Sequence, residues 1–105
     1  MNNAHCGAVF LVLITPKKHK DVFIDTLTQM GGCLINAVYC RDGCRSGYLR
    51  DALGLVPEEN KVMLVCLLAR DKADTMLNTL VEKYNFGKPG TGRAFTVRVD
   101  KILAK

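Results

Sequence analysis

Two uninterrupted apolar runs, Ala8 to Ile14 and Val62 to Ala69, are the clearest pattern along the chain. Both are rich in valine and leucine and too short for ordinary buried helices, so each predicts a strand covered on both faces. After the first run, Thr15 and Pro16 fit the N-cap and first residue of a helix. In that helix Phe23, Leu27 and Met30 share one face before Gly31-Gly32 ends it. Cys33 to Cys40 reads as a second, less regular strand, followed by a polar, glycine-bearing loop to about Glu59 within which Tyr48 to Leu55 fits a short helical turn. After the third strand, Asp71 is placed to cap a second helix, with Ala73, Met76, Leu77, Leu80, Val81 and Tyr84 at helical spacing. That periodicity accounts for the methionines and aromatics of both helices as core. A fourth strand alternates, with Phe95, Val97 and Val99 on one face and Ala94, Thr96 and Arg98 on the other.

The order βαββαβ predicts an α+β, ferredoxin-like domain: a four-stranded antiparallel sheet with two helices on one face. Strands one and three, apolar at every position, belong in the centre, and the alternating fourth strand belongs at an edge. Two helices cover one face only. The other would be a large apolar surface on a monomer, so subunits are expected to pack sheet against sheet.

With 105 residues and 49% hydrophobic content, the chain fits one domain, residues 1–105, with a core that needs no disulfide or metal. No apolar run reaches membrane-spanning length and the first residues lack a secretory signal pattern, so the expected location is cytoplasmic. Five cysteines, at positions 6, 33, 40, 44 and 66, are an odd number and are expected to be reduced. Cys40 and Cys44 are separated by three residues, which is not the spacing of a redox or zinc CxxC pair. A net charge of +5 comes from 15 basic residues spread along the chain, which permits an anionic partner without specifying one.

The candidate chemistry lies between Phe86 and Arg93, where Gly87, Gly90 and Gly92 alternate with Lys88, Pro89 and Thr91 ahead of Arg93. Glycines allow successive backbone N–H groups to turn toward one point, and flanking cations add attraction for a phosphate. The spacing is not that of a Walker loop, and the segment leads into a strand where a dinucleotide fingerprint would open a helix. On loop chemistry alone, an ordinary glycine-rich hairpin turn is the alternative. A phosphate-processing enzyme would need a base near this loop, but His5 and His19 have no obvious acidic partner there. A metal site from His5, Cys6, Cys33 and Cys66 fails on spacing. An RNA-binding module of the same topology would need aromatics projecting from the central strands, and the third strand has none, with Phe10 and Phe95 assigned to the core. No nucleic-acid partner is expected.

Residues 87–95, Gly-Lys-Pro-Gly-Thr-Gly-Arg-Ala-Phe, resemble the nucleotide-binding B-loop of the PII nitrogen-regulatory signal-transduction superfamily, in particular its shorter PII-like members. Ile14-Thr15-Pro16, Gly31-Gly32, Val56-Pro57 and Lys61-Val62 fall where that family has similar patterns, so the likeness spans most of the chain. The resemblance implies a homotrimer that binds an adenine nucleotide in clefts between subunits. It also implies control of a target protein, such as a membrane transporter, through a T-loop at about 41–59, with recruitment to the membrane only through that partner. Carried over, Gly87, Lys88, Gly90, Thr91, Gly92 and Arg93 of a B-loop at 86–93 would hold phosphates. Arg41 and Arg45 would close over them, and Leu34, Asn36, Met63 and Val65 would line the adenine side.

The chain also departs from the family. Phe86 stands where the family has threonine, Thr91 replaces an acidic residue, the terminal Arg-x-Arg pair is missing, and the only glutamine is Gln29. Fewer cations for a triphosphate favour AMP or ADP over Mg-ATP, and nitrogen sensing through magnesium and 2-oxoglutarate is not implied. Tyr48 and Ser46 lie in the loop where longer members carry a modifiable tyrosine. The competing reading is a trimeric interaction scaffold that needs no ligand.

Overall fold

The structure is a computed structural model and describes residues 7–39, 52, 61–88, 91–101 and 103. Four strands form one sheet: β1 (Ala8–Pro16), β2 (Cys33–Tyr39), β3 (Lys61–Ala69) and β4 (Arg93–Arg98). Their order is β2-β3-β1-β4, with every neighbouring pair antiparallel. Helix α1 (Lys20–Gln29) links β1 to β2 and α2 (Arg70–Tyr84) links β3 to β4. This is the ferredoxin-like arrangement, with the two apolar runs at the centre as expected.

The β1–β3 register pairs Val9 with Leu68, Leu11 with Cys66, Leu13 with Leu64 and Thr15 with Val62. Directly opposed residues share a face. These are the residues on which the helices close: Phe23 and Leu27 of α1 and Ala73, Met76 and Leu80 of α2 complete one buried cluster with them. The intervening residues, Phe10, Val12 and Ile14 with Leu67, Val65 and Met63, point to the face opposite α1 and α2. Phe95 and Val97 of β4 sit opposite Val12 and Phe10 on that same open face, 40% and 49% exposed. The assignment of Phe10 and Phe95 to the core is therefore corrected. On β4 it is Ala94, opposite Leu13, that packs on the core.

Three helix expectations also change. Thr15 is no N-cap: β1 runs on through Pro16, and a short 3-10 turn at Lys17–His19 precedes α1. The Thr15 side chain is fully buried on the helix-covered face, and its hydroxyl has no hydrogen-bond partner. The strand pairing is satisfied through Pro16, so the ladder with β3 outcompetes an early helix start. Asp71 is inside the first turn of α2, and Ala69 is the N-cap. An acidic residue there still faces the positive end of the helix dipole. Val81 is 60% exposed, because three buried positions, Ala73, Met76 and Leu80, define the inward stripe and Val81 falls beside it.

Helix α2 ends on Asn85, which takes the left-handed conformation at φ 59°. Asparagine tolerates this geometry better than most residues. On the opposite edge, β2 carries a register shift between Cys33 and Asn36, and Leu34 within it has φ 54° with its side chain 67% exposed. A leucine in that region of backbone space is strained. No helix among the described residues is long and apolar enough to cross a membrane.

Candidate functional site

The glycine loop turns back from the end of α2 into β4 and is closed by its own backbone. The Gly87 N–H donates to the Gly92 carbonyl at 3.2 Å, Lys88 N–H to Asn85 at 3.2 Å and Thr91 N–H to Lys88 at 3.3 Å. The Thr91 hydroxyl lies 2.8 Å from the Asn85 carbonyl and 2.7 Å from that of Lys88. One arginine joins this brace, with an Arg93 guanidinium nitrogen 3.0 Å from the Gly92 carbonyl and 3.4 Å from that of Lys88.

Two of the glycines have local reasons. Gly87 has φ 94°, open to glycine and costly for other residues. A Cβ on Gly92 would stand 2.7 and 2.8 Å from Phe86 ring carbons and 2.9 Å from the Ile14 carbonyl oxygen. Phe86 itself is buried edge-on against Phe23, ring centroids 5.8 Å apart. In this conformation the loop amides of Gly87, Lys88 and Thr91 serve the turn, and Lys88 stands exposed beside it.

The register shows which expected site residues meet. Asn36, Val65, Val12 and Phe95 form one row across the open face, and Val38, Met63, Ile14 and Arg93 form the next. Asn36, Met63, Val65 and Arg93 thus share a face. Leu34 lies in the bulge on the outer edge of β2. With strands about 4.8 Å apart, the β2 and β4 edges of one chain are separated by about 14 Å. Arg41, Arg45 and Gly90 lie outside the described residues, as do Cys40, Cys44, Ser46, Tyr48, the other T-loop residues apart from Ala52, and His5.

Two features were not anticipated. At the end of β2, Lys20 Nζ donates a 2.8 Å hydrogen bond to the Tyr39 hydroxyl, and Lys17 Nζ sits 4.9 Å from the centre of the Tyr39 ring. The bond to Tyr39 holds the Lys20 ammonium above its ordinary pKa. The run Lys17-Lys18-His19-Lys20 was visible in the sequence, but only the sheet brings Tyr39 beside it. The second feature is a hollow of about 150 Å³ on the helix side of the glycine loop, with Phe23, Tyr84 and Phe86 among its walls. A similar hollow of about 170 Å³ at the opposite end of the sheet has Arg70 and Arg98, the latter 3.3 Å from Asp100. Among the described residues, no group of three His, Cys, Asp or Glu side chains is arranged to hold a metal ion.

No family model matches the sequence, and no curated protein matches it. Solved structures do match by fold. CPII from Thiomonas intermedia K12, bound to ADP, AMP and acetate, superposes with a TM-score of 0.70 at 12% identity, covering 99% of this chain and 94% of its own. A PII-like signalling protein of Thermus thermophilus gives 0.61 at 14% identity, covering 94% and 93%. Arabidopsis thaliana PII bound to citrate gives 0.59 at 18% identity, covering 91% of this chain and 78% of its own. The chain has the fold of PII and PII-like proteins.

Proposed function

We propose that this protein is a PII-like regulatory protein, a homotrimer that binds an adenine nucleotide between subunits and uses the segment at 41–59 to control a target protein. The observation that carries this reading is an apolar sheet face opposite α1 and α2, ending in a glycine loop, in a fold shared with CPII bound to ADP and AMP. Covering that face with neighbouring subunits removes Phe95 and Val97 from water. It also solves a geometric problem. Leu34 and Asn36 on one edge and Lys88 and Arg93 on the other are too far apart to close on one small ligand within a chain, but the edges of two adjacent subunits are not so limited. In this reading Gly87, Lys88, Gly90, Thr91, Gly92 and Arg93 face the phosphates with Arg41 and Arg45, while Leu34, Asn36, Met63 and Val65 line the adenine side. AMP or ADP is favoured over Mg-ATP because few cations are available to a triphosphate. The role is regulatory and not catalytic, and a membrane transporter is one class of target that suits it.

The internal hydrogen bonds of the loop favour a second reading, a trimeric scaffold that needs no ligand, because an anion would have to displace them or use other groups. Calorimetric titration with AMP, ADP and ATP, paired with analytical ultracentrifugation, separates the two. The sensor reading expects AMP or ADP to bind a trimer and Arg93→Ala to weaken it by about tenfold or more. A trimer silent to all three nucleotides supports the scaffold. A monomer overturns both.

A further inference from the structure

We infer that the exposed cluster of Lys17, Lys20 and Tyr39 is a docking point for an acidic segment of the target protein, which deepens the regulatory reading above and rests on it. Tyr39 is the last residue of β2 and lies just ahead of the segment at 41–59. Chain connectivity therefore puts it beside whatever that segment holds. It pairs with Val62, a residue of the buried core, so it sits on the helix side of the sheet, opposite the apolar face that neighbouring subunits would cover. Tyr39 is 48% exposed.

Two flexible cations are held against this one ring. Lys17 Nζ lies 4.9 Å and Lys20 Nζ 5.4 Å from the ring centroid, and Lys20 also donates to the Tyr39 hydroxyl at 2.8 Å. The electron-rich face of an aromatic ring attracts ammoniums, so side chains that would otherwise roam are ordered in advance at one place. Among the described residues none of Lys17, Lys18 and Lys20 is in an ion pair. The bond to Tyr39 and, more weakly, the neighbouring Asp21 hold the Lys20 ammonium above its ordinary pKa.

Local stability does not account for these charges. Lys17 and Lys18 belong to the turn that leads into α1 and Lys20 is the first residue of that helix, the end at which the dipole opposes cations. Two ammoniums drawn to one ring also repel each other. A carboxylate between them removes the repulsion, suits that end of the helix and uses the ammonium donors that Tyr39 leaves free. An acidic peptide supplies such groups in series, and its methylenes can rest on the exposed part of the tyrosine ring. A nucleic acid would have to stack its bases on a ring already faced by lysine, so the peptide is favoured.

The test titrates the full chain with an acetylated hexaglutamate peptide at low salt, followed by amide chemical shifts and calorimetry. Expected are saturable shifts centred on Lys17, Lys18, Lys20 and Tyr39 that weaken as salt is raised. The double variant Lys17→Gln, Lys20→Gln should lose affinity by about fivefold or more. Lys72→Gln, Lys83→Gln removes the same charge from exposed positions of α2 and should change affinity by less than about twofold. The inference is overturned if the two double variants lose affinity equally, or if the shifts centre on Lys88 and Arg93. It is likewise overturned if an oligothymidylate of equal charge or phosphatidylserine vesicles bind at those amides more tightly than the peptide, which would make nucleic acid or membrane the occupant. AMP titration and sedimentation of the same sample keep the two readings apart. A trimer that binds AMP but shows no peptide shifts loses the docking point alone, whereas peptide shifts at the cluster in a chain that binds no nucleotide uphold the docking point and remove the nucleotide sensor.

Discussion

The two faces of the central strands have nearly the same composition and opposite fates. On β1 and β3, Leu11, Leu13, Leu64 and Cys66 are wholly buried beneath the helices. One residue along, Val12 and Ile14 are 7% and 3% exposed although neither α1 nor α2 covers them, and Met63, Val65 and Leu67 are half-buried. The flanking strands shelter the middle of the open face from both sides and leave its margins wet. Val38 on β2 and Phe95 and Val97 on β4 are 47%, 40% and 49% exposed. Hydrophobic sequence therefore specifies that both surfaces want cover, whereas α1 and α2 supply it on one face alone.

Substituting Phe95→Lys attacks the open face where it is most aromatic. The expected outcome is a complete shift from trimer to monomer in sedimentation, with unfolding of the isolated subunit changed little; a trimer that survives the charge removes sheet-to-sheet packing. The matched change on the covered face, Leu64→Ala, should lower unfolding free energy by about 3 kcal/mol at any protein concentration, as truncation of a wholly buried leucine does. Urea titration at several concentrations distinguishes the two.

Gly92→Ala should cost about 2 kcal/mol, because its Cβ would meet Phe86 and the Ile14 carbonyl at 2.7 to 2.9 Å. Thr15→Val is expected to act in the opposite direction on the same covered face. It replaces the unpartnered hydroxyl with a methyl group and should raise thermal stability by about 1 kcal/mol.

The smallest effect concerns pH. Burial pushes the Cys66 thiol above its ordinary pKa, and the Cys33 thiol adds to the rise. The folded state then holds a proton that the unfolded chain releases above about pH 8.5. The contribution is intact below that pH and lost as pH climbs toward the raised folded-state value. An alkaline fall in stability that Cys66→Ala flattens is the expected result, and an unchanged slope would assign it to other groups.

Much of this was legible before the fold was known. Ala8 to Ile14 and Val62 to Ala69 read as central strands because a strand apolar at every position is sheltered best with a neighbour on either side. The glycine loop was located, but its hydrogen bonding was not. Whether the amides of Gly87 and Lys88 turn outward to an anion or inward to Gly92 and Asn85 depends on backbone angles that glycine, by its freedom, leaves undetermined. Thr15 misled for a related reason. Threonine followed by proline is a good helix start locally, yet the pairing of Thr15 with Val62 belongs to a sheet assembled from distant segments.

Periodicity along the chain is enough for the element order, the central strands and the existence of a second apolar face. Which alternate residues face the helices is set by the assembled sheet, since in a strand apolar on both sides a one-residue shift exchanges the faces without changing the pattern. The same assembly sets Lys20 against Tyr39 and packs Phe23 edge to face with Tyr84 and Phe86. Those contacts join residues far apart along the chain, and side-chain spacing within one element carries no information about them.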